Sequence, residues 1–250
     1  MSDVFLLHAF PFDHRMWDGV AGDLAKAGWR VFTPDMRGFG RAPSWDGYEP
    51  DLKVIADDLV KLMDKFGIDK AVFGGCSLGG YVVMQMLRHY PERVSAAILV
   101  DTKASADSAD ARANRLRVAE SVTESQSAEA FTRAMQASLI SETASVAVQE
   151  QVASLLDDVS AKSVADMQMA MAARFDSHEV IQKFRGPILS IRGSEDLIAT
   201  EADHEFMMDE ALDGVHYEIA GAGHLPPIEK PVETSKVIQD FLKQLINGSC

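Results

Sequence analysis

Short runs of β-branched, aromatic and other apolar residues alternate along this chain with stretches whose apolar positions recur every three to four residues. The runs predict strands at Val4–His8, Arg30–Pro34, Ala71–Gly74, Ala96–Asp101, Ile188–Arg192 and Val215–Ile219. The periodic stretches predict helices at Met16–Ala27, Leu52–Phe66, Gly80–His89, Asp203–Ala211 and Val232–Ile246. The last of these carries Val237, Phe241, Leu242 and Leu245 at helical spacing. Strands and helices in alternation predict an α/β fold built on a mostly parallel sheet of about six strands.

One stretch breaks the rhythm. From Glu92 to Arg185 there is neither Gly nor Pro, although the chain holds 17 and 9 of them. Residues 103–185 are rich in Ala, Ser, Gln and charge, with apolar positions at helical spacing. They predict an all-helical cap inserted into a core made of residues 1–102 and 186–250. Caps of this kind close over strand ends and shape a substrate pocket. Met135, Met167, Met169 and Met171 lie within it; they read either as ordinary helix packing or as a pliable apolar pocket wall.

The candidate chemistry is concentrated where a strand meets a helix. Gly75-Cys76-Ser77-Leu78-Gly79 reads Gly-x-Ser-x-Gly, after the apolar run Lys70–Gly74 and before the helical pattern Gly80–Arg88. A serine on so tight a turn is held in a strained backbone geometry with its hydroxyl exposed, and the flanking glycines give the turn room. The N–H of Leu78, at the helix N-terminus, is placed to donate to a developing oxyanion. A second donor is expected from the loop after the first strand, where the N–H of Phe10 is the candidate. A serine nucleophile also needs a base to take its proton and an acid to orient that base. Asp196 follows the predicted strand Ile188–Arg192, and His224, between glycines 221 and 223 and Leu225, follows Val215–Ile219. Taken singly, Asp196 reads equally as a turn residue and His224 as a loop histidine. Glu195 and Asp101 are rival acids, and Cys76 is a remote rival nucleophile.

As a set, His8-Ala9-Phe10-Pro11 with Met16-Trp17, Asp35-Met36-Arg37-Gly38-Phe39-Gly40, Gly74–Gly80, Gly193-Ser194-Glu195-Asp196 and Gly221-Ala222-Gly223-His224 resemble the capped α/β-hydrolases, in particular small carboxylesterases and 3-oxoadipate enol-lactonase-like hydrolases. The resemblance runs from residue 5 to about residue 231. It implies a Ser77–Asp196–His224 triad, an oxyanion hole from Phe10 and Leu78, and no cofactor or metal. It implies that Arg37 and Gly38 shape a turn and that Trp17 packs near the oxyanion loop. Phe10, Trp17, Met135 and Met171 are the substrate-contacting candidates. Three departures accompany it. The chain starts at what resembles the family's third strand, so the first two family strands are missing and Arg30–Pro34 is expected as a sheet edge. Ala9 stands where the family often has Gly, and Cys76 precedes the nucleophile.

Composition narrows the partners. A net charge of −14 repels nucleic acid and anionic membrane alike, which leaves a small-molecule substrate. Two cysteines, one in the elbow and one at the last position, make a disulfide unexpected and favour the cytoplasm. No apolar run reaches membrane-spanning length, and a strand pattern from residue 3 leaves no room for a signal peptide. The chain is expected to be a monomer or a homodimer.

The expected reaction is therefore hydrolysis of a carboxylic ester or lactone through an acyl-enzyme on Ser77. The resemblance implies that dehalogenases and epoxide hydrolases of similar fold use aspartate at this position, so Ser77 argues against those chemistries. C–C bond hydrolysis, thioester hydrolysis and perhydrolysis share the same triad and stay open. So do a ligand receptor with little turnover and a lyase in which the serine only hydrogen-bonds. A dicarboxylate-like lactone would require a pocket cation, for which Arg112, Arg115, Arg133 and Arg174 are the candidates.

Overall fold

The computed structural model describes residues 3–248. Six strands, β1 (Asp3–Leu7), β2 (Arg30–Phe32), β3 (Ala71–Cys76), β4 (Val94–Val100), β5 (Ile188–Gly193) and β6 (Gly214–Ile219), form one parallel sheet in the order β2-β1-β3-β4-β5-β6. The period of two along the strands splits the core into two layers. Phe5, Leu7, Phe73, Ala97 and Leu99 face one layer, while Val4, Leu6, Val72, Ile98 and Val100 face the other. Because both faces of the central strands are covered, β3 is buried at every residue, which is why it reads as a continuous apolar run. Register places Phe32 and Phe73 opposite Phe5 on either side. Their rings stack with centroids 4.8 and 4.9 Å apart, an aromatic ladder across three strands.

Helices α1 (Asp18–Lys26) and α11 (Pro231–Ile246) cover the second layer, contributing Val20, Leu24, Ile238 and Leu242. Helices α2 (Leu52–Lys65) and α3 (Leu78–His89) cover the first. Asp51 caps α2, and Leu52, Ile55, Ala56, Leu59 and Met63 form its buried stripe. Between β4 and β5 lie α4 (Ala109–Ser125), α5 (Glu129–Leu139), α6 (Val146–Asp157), α7 (Ala161–Ala172) and α8 (His178–Lys183). Ser108, Ser145 and Ser160 cap α4, α6 and α7, so the serine-rich composition of this stretch serves as helix punctuation in place of Gly and Pro. After β5 come α9 (Glu201–Glu210) and, after β6, the single turn α10 (Pro226–Glu229).

Three boundaries differ from expectation. The helix expected from Gly80 starts at Leu78, directly after the serine. The helix expected from Met16 opens with a 3₁₀ turn, His14–Trp17, capped by Asp13, before α1 begins. The edge strand β2 ends at Phe32, short of Pro34, which has no N–H to donate to a ladder. Strand β2 is the expected edge. The opposite edge, β6, is exposed at five of its six residues. Cys250 lies outside the described residues, and Cys76 is a buried free thiol.

Strand β1 is flanked by β2 on one side and β3 on the other, so the connections leaving β1 and β3 diverge at their carboxyl ends. Such a reversal opens a crevice in a parallel sheet, and ligands bind there.

Candidate active site

Ser77 stands at that reversal, between β3 and α3, with φ 52° and ψ −111°. A non-glycine residue in this region carries strain of about 1–3 kcal/mol, which the surroundings must hold in place. They do so with hydrogen bonds: Ser77 N–H donates to Val100 O at 2.9 Å, and its carbonyl accepts from Gly80 N–H and from Thr102 Oγ1, each at 2.9 Å. Side chains on the flanking glycines would not fit. A Cβ on Gly75 would lie 2.2 Å from the Gly79 carbonyl carbon, and one on Gly79 would lie 2.3 Å from Leu7 O. The Ser77 side chain does not cap α3, so its hydroxyl is not spent on the helix. Cys76 points into the second core layer; burial and then the charges of Asp101 and Asp196 push its thiol well above the ordinary range.

The loops after β5 and β6 bring Asp196 and His224 together. Their side chains are 0% and 3% exposed, and Nδ1 of His224 lies 2.8 Å from Asp196 Oδ2. A carboxylate only accepts, so Nδ1 carries the proton and Nε2 keeps its lone pair. Asp196 Oδ1 accepts from Ile198 N–H at 2.8 Å, and Oδ2 accepts a second bond from Ala199 N–H at 3.2 Å. Burial alone would raise its affinity for a proton, but the bond and charge of His224 and the Ile198 N–H hold Asp196 below the usual carboxylate range. Glu195 is the less suited neighbour, being exposed, with its N–H tied to Ala222 O.

Asp101, the other rival acid, is fully buried at the end of β4 with φ 40°. Its Oδ1 accepts from Gly193 N–H at 2.9 Å, while Oδ2 has no partner among the described residues. Oxygen or nitrogen atoms of Asp101, Asp196 and His224 all lie within 4.8 Å of one another. Burial and the neighbouring Asp196 push Asp101 well above the ordinary carboxylate range. A second cluster, Asp13, His14 and Asp35, is equally tight, but Arg15, Arg41 and His14 already donate to its carboxylates.

Across the crevice, the Phe10 N–H makes no bond to another backbone carbonyl among the described residues, and Leu78 is the first residue of α3, where N–H groups have no helical partner. His8 fixes this loop. Met36 N–H donates to its Nε2 at 2.9 Å, which leaves the proton on Nδ1 to donate to Ala9 O at 3.0 Å. Burial lowers the His8 pKa, in keeping with a neutral ring. Phe10 packs edge-on against Phe39 and tilted against Phe131 of α5, each with centroids 6.0 Å apart. Trp17 is fully buried in the second core layer with the first-strand residues, and its Nε1 has no partner among the described residues. Met171 is 2% exposed in the first layer, and half-buried Met135 packs against both layers. Met167 is core and Met169 is exposed. A separate groove of about 850 Å³ between β6 and α11 is lined by Val215, Tyr217, Val232 and Phe241 and holds none of these residues.

Sequence reasoning missed three supports: His8, Thr102 and Glu229. Glu229 Oε1 accepts from Gly223 N–H at 2.9 Å and Leu225 N–H at 3.3 Å, and Oε2 accepts from Ser141 N–H at 2.8 Å. His224 N–H donates to Leu139 O at 3.1 Å, so the histidine loop is tied to the end of α5. A polar residue two positions after a Pro-Pro pair was the sole sequence signal for Glu229. Among the cationic candidates, Arg115 and Arg174 both pair with Asp107, Arg133 is exposed and pairs with Glu129, and Arg112 is exposed.

The chain is similar to known proteins to different extents. A stretch of 102 residues is 38% identical to bifunctional epoxide hydrolase 2 of Sus scrofa, covering 40% of this chain and only 18% of that protein. 3-Oxoadipate enol-lactonase 1 of Acinetobacter baylyi is 28% identical over 239 residues, 93% of this chain and 85% of that one. The malate-bound structure of a thermophilic esterase from Thermogutta terrifontis superposes with a TM-score of 0.94 at 32% identity, over 98% of this chain and 90% of that one. Among the described residues, no helix is long and apolar enough to cross a membrane. The family model described as alpha/beta hydrolase fold matches residues 4–231, and the chain belongs to that family.

Proposed function

We propose that this protein is a serine hydrolase of small carboxylic esters or lactones, acting in the cytoplasm, with Ser77 as nucleophile, His224 as general base and Asp196 as the acid that orients it. The observation that carries the reading is the strained serine at the sheet's reversal, with a buried His224–Asp196 pair on the loops after β5 and β6. His224 Nε2 takes the Ser77 proton as Oγ attacks the substrate carbonyl. The N–H groups of Phe10 and Leu78 hold the oxyanion, each donor being worth roughly 3 kcal/mol. The alcohol leaves with the proton from His224, and water activated by the same imidazole releases the acid. Residues 103–185 form the cap over this end, with Phe10, Trp17, Met135 and Met171 as its apolar surroundings.

Two observations choose among neighbouring chemistries. The similarity to an epoxide hydrolase does not bring epoxide opening with it, because the elbow holds serine. An anionic, dicarboxylate-like lactone is disfavoured, because the two cap arginines that are not fully exposed are already paired with Asp107. The test is hydrolysis of p-nitrophenyl acetate, butyrate and octanoate by wild type and Ser77→Ala side by side. Turnover that vanishes in the variant supports the reading, and the chain-length trend reports the depth of the pocket. Turnover that survives in Ser77→Ala overturns it.

A further inference from the structure

Two carboxyl groups share the buried space behind His224. The assigned acid of the triad, Asp196, receives three donors: His224 Nδ1–H, Ile198 N–H and Ala199 N–H. Asp101 receives one, Gly193 N–H on Oδ1, and its Oδ2 is buried with nothing donating to it among the described residues. The other titratable groups around this space are Cys76 from β3, Arg192 from β5 and His204 from α9. The Arg192 guanidinium is committed to Glu218 and to the carbonyl oxygens of Ser194 and Asp196. Glu229 adds further negative charge on the Cys76 side. Among the described residues no cationic side chain donates to Asp101, and Arg192 acts on it only through its charge. Like charges this close and this buried do not both ionise, so one carboxyl keeps its proton. Donor count says which: three hydrogen bonds favour the charged form of Asp196, and a lone-pair oxygen without a donor favours a hydroxyl on Asp101.

We propose that Asp101 is a positioning residue, a neutral carboxylic acid whose Oδ2–H is directed at the Asp196 carboxylate and holds it ionised and oriented toward His224. The inference rests on the triad reading above. The backbone supports it: Asp101 is held at φ 40° by its own N–H to Ile191 O at 2.9 Å, which aims the side chain across β5 toward the Asp196 loop. Burial and the Asp196 charge act in the same direction. The role differs from that of a catalytic acid, since Asp101 touches neither substrate nor nucleophile and works through Asp196.

The experiment compares Asp101→Asn, Asp101→Ala and Asp196→Asn by pH–rate profile, with Ser77→Ala as control. Asn reproduces a neutral donor, so Asp101→Asn is expected to keep kcat/KM within about threefold and the acid limb within ~0.3 pH unit of wild type. Asp101→Ala removes the donor and makes Asp196 more basic, which steadies protonated His224; its acid limb is expected to move up, with a loss of roughly tenfold in kcat/KM. Were Asp101 ionised, Asn would remove a negative charge beside His224 and the limb would move down by about one unit, which overturns the proposal. A loss in Asp101→Asn as deep as that in Asp196→Asn would make Asp101 the orienting acid and overturns it too. Infrared spectroscopy needs no turnover. The carbonyl stretch of a protonated carboxylic acid should persist at pH 7 in wild type and vanish in Asp101→Asn, and its absence from wild type sinks the proposal. Hydrolysis that survives in Ser77→Ala would instead fail the triad reading, with the infrared result still deciding the state of Asp101.

Discussion

Two buried imidazoles sit beside strands β5 and β6, one in a helix and one in a loop, and meet opposite surroundings. His224 is 3% exposed and donates to a carboxylate that also holds two backbone N–H groups. His204, fully buried on α9, is hydrogen-bonded to no carboxylate among the described residues. Its Nδ1 lies 2.6 Å from Ser190 Oγ, the same oxygen that lies 3.1 Å from His216 Nδ1, and its Nε2 has no partner among the described residues. Burial, and then His216, push the His204 pKa down to about 3, while the more distant Asp196 offsets little of this. Burial lowers His216 as well. Both clusters contain serine and histidine brought together by the sheet, so residue type alone does not separate them. A charged acceptor behind the ring, and a free nitrogen facing a crevice, turn a buried histidine from packing into a base.

The largest effect should come from exchanging the environments. Asp196→Asn deprives His224 of its charged acceptor and is expected to lower kcat by roughly a thousandfold or more, whereas His204→Asn should leave it within about threefold. Steady-state ester hydrolysis measures both, and equal losses would erase the distinction. The next effect is on stability. An unfolded histidine takes up a proton near 6.5, but folded His204 does so only near 3. Its contribution is therefore complete above about pH 6.5 and is lost as the pH falls, by about 1.4 kcal/mol per unit at most. Thermal midpoints between pH 7.5 and 4.5 should show a shallower acid decline in His204→Asn than in wild type. An unchanged slope would mean that His204 is already charged in the fold. The smallest effect is Ser190→Ala. It removes the hydroxyl between the two rings and should cost about 1–2 kcal/mol without altering kcat, read by denaturant midpoint beside initial rates.

The contrast marks what the sequence could convey. The sheet, the serine elbow and the insertion between β4 and β5 were legible because each rests on local signals: apolar runs, a Gly-x-Ser-x-Gly turn, and a long absence of Gly and Pro. Asp196 and His224 were legible because each follows a strand. The partners of those residues were not. Asp101 and Asp196 are 95 positions apart, and their shared burial depends on how β4 and β5 pair. The Ser190–His204–His216 cluster likewise joins two strands and a helix, and no periodicity in any one of them announces it. The short edge β2 was legible as an edge; the exposure of β6 was not, because its residues Val215 and Tyr217 read as ordinary strand apolars.

Glu229 carries a consequence for inheritance and engineering. Its two oxygens join the backbone on either side of His224 to Ser141, and His224 itself donates to Leu139. The insertion and the His224 loop are thus built as one joint, although 82 residues lie between Ser141 and His224 along the chain. Grafting a foreign segment between β4 and β5 to change the substrate would succeed only if it brings an N–H to the place of Ser141 and a carbonyl to that of Leu139. Variants selected for a new substrate should accordingly leave residues 139–141 untouched, a pattern that directed evolution would record.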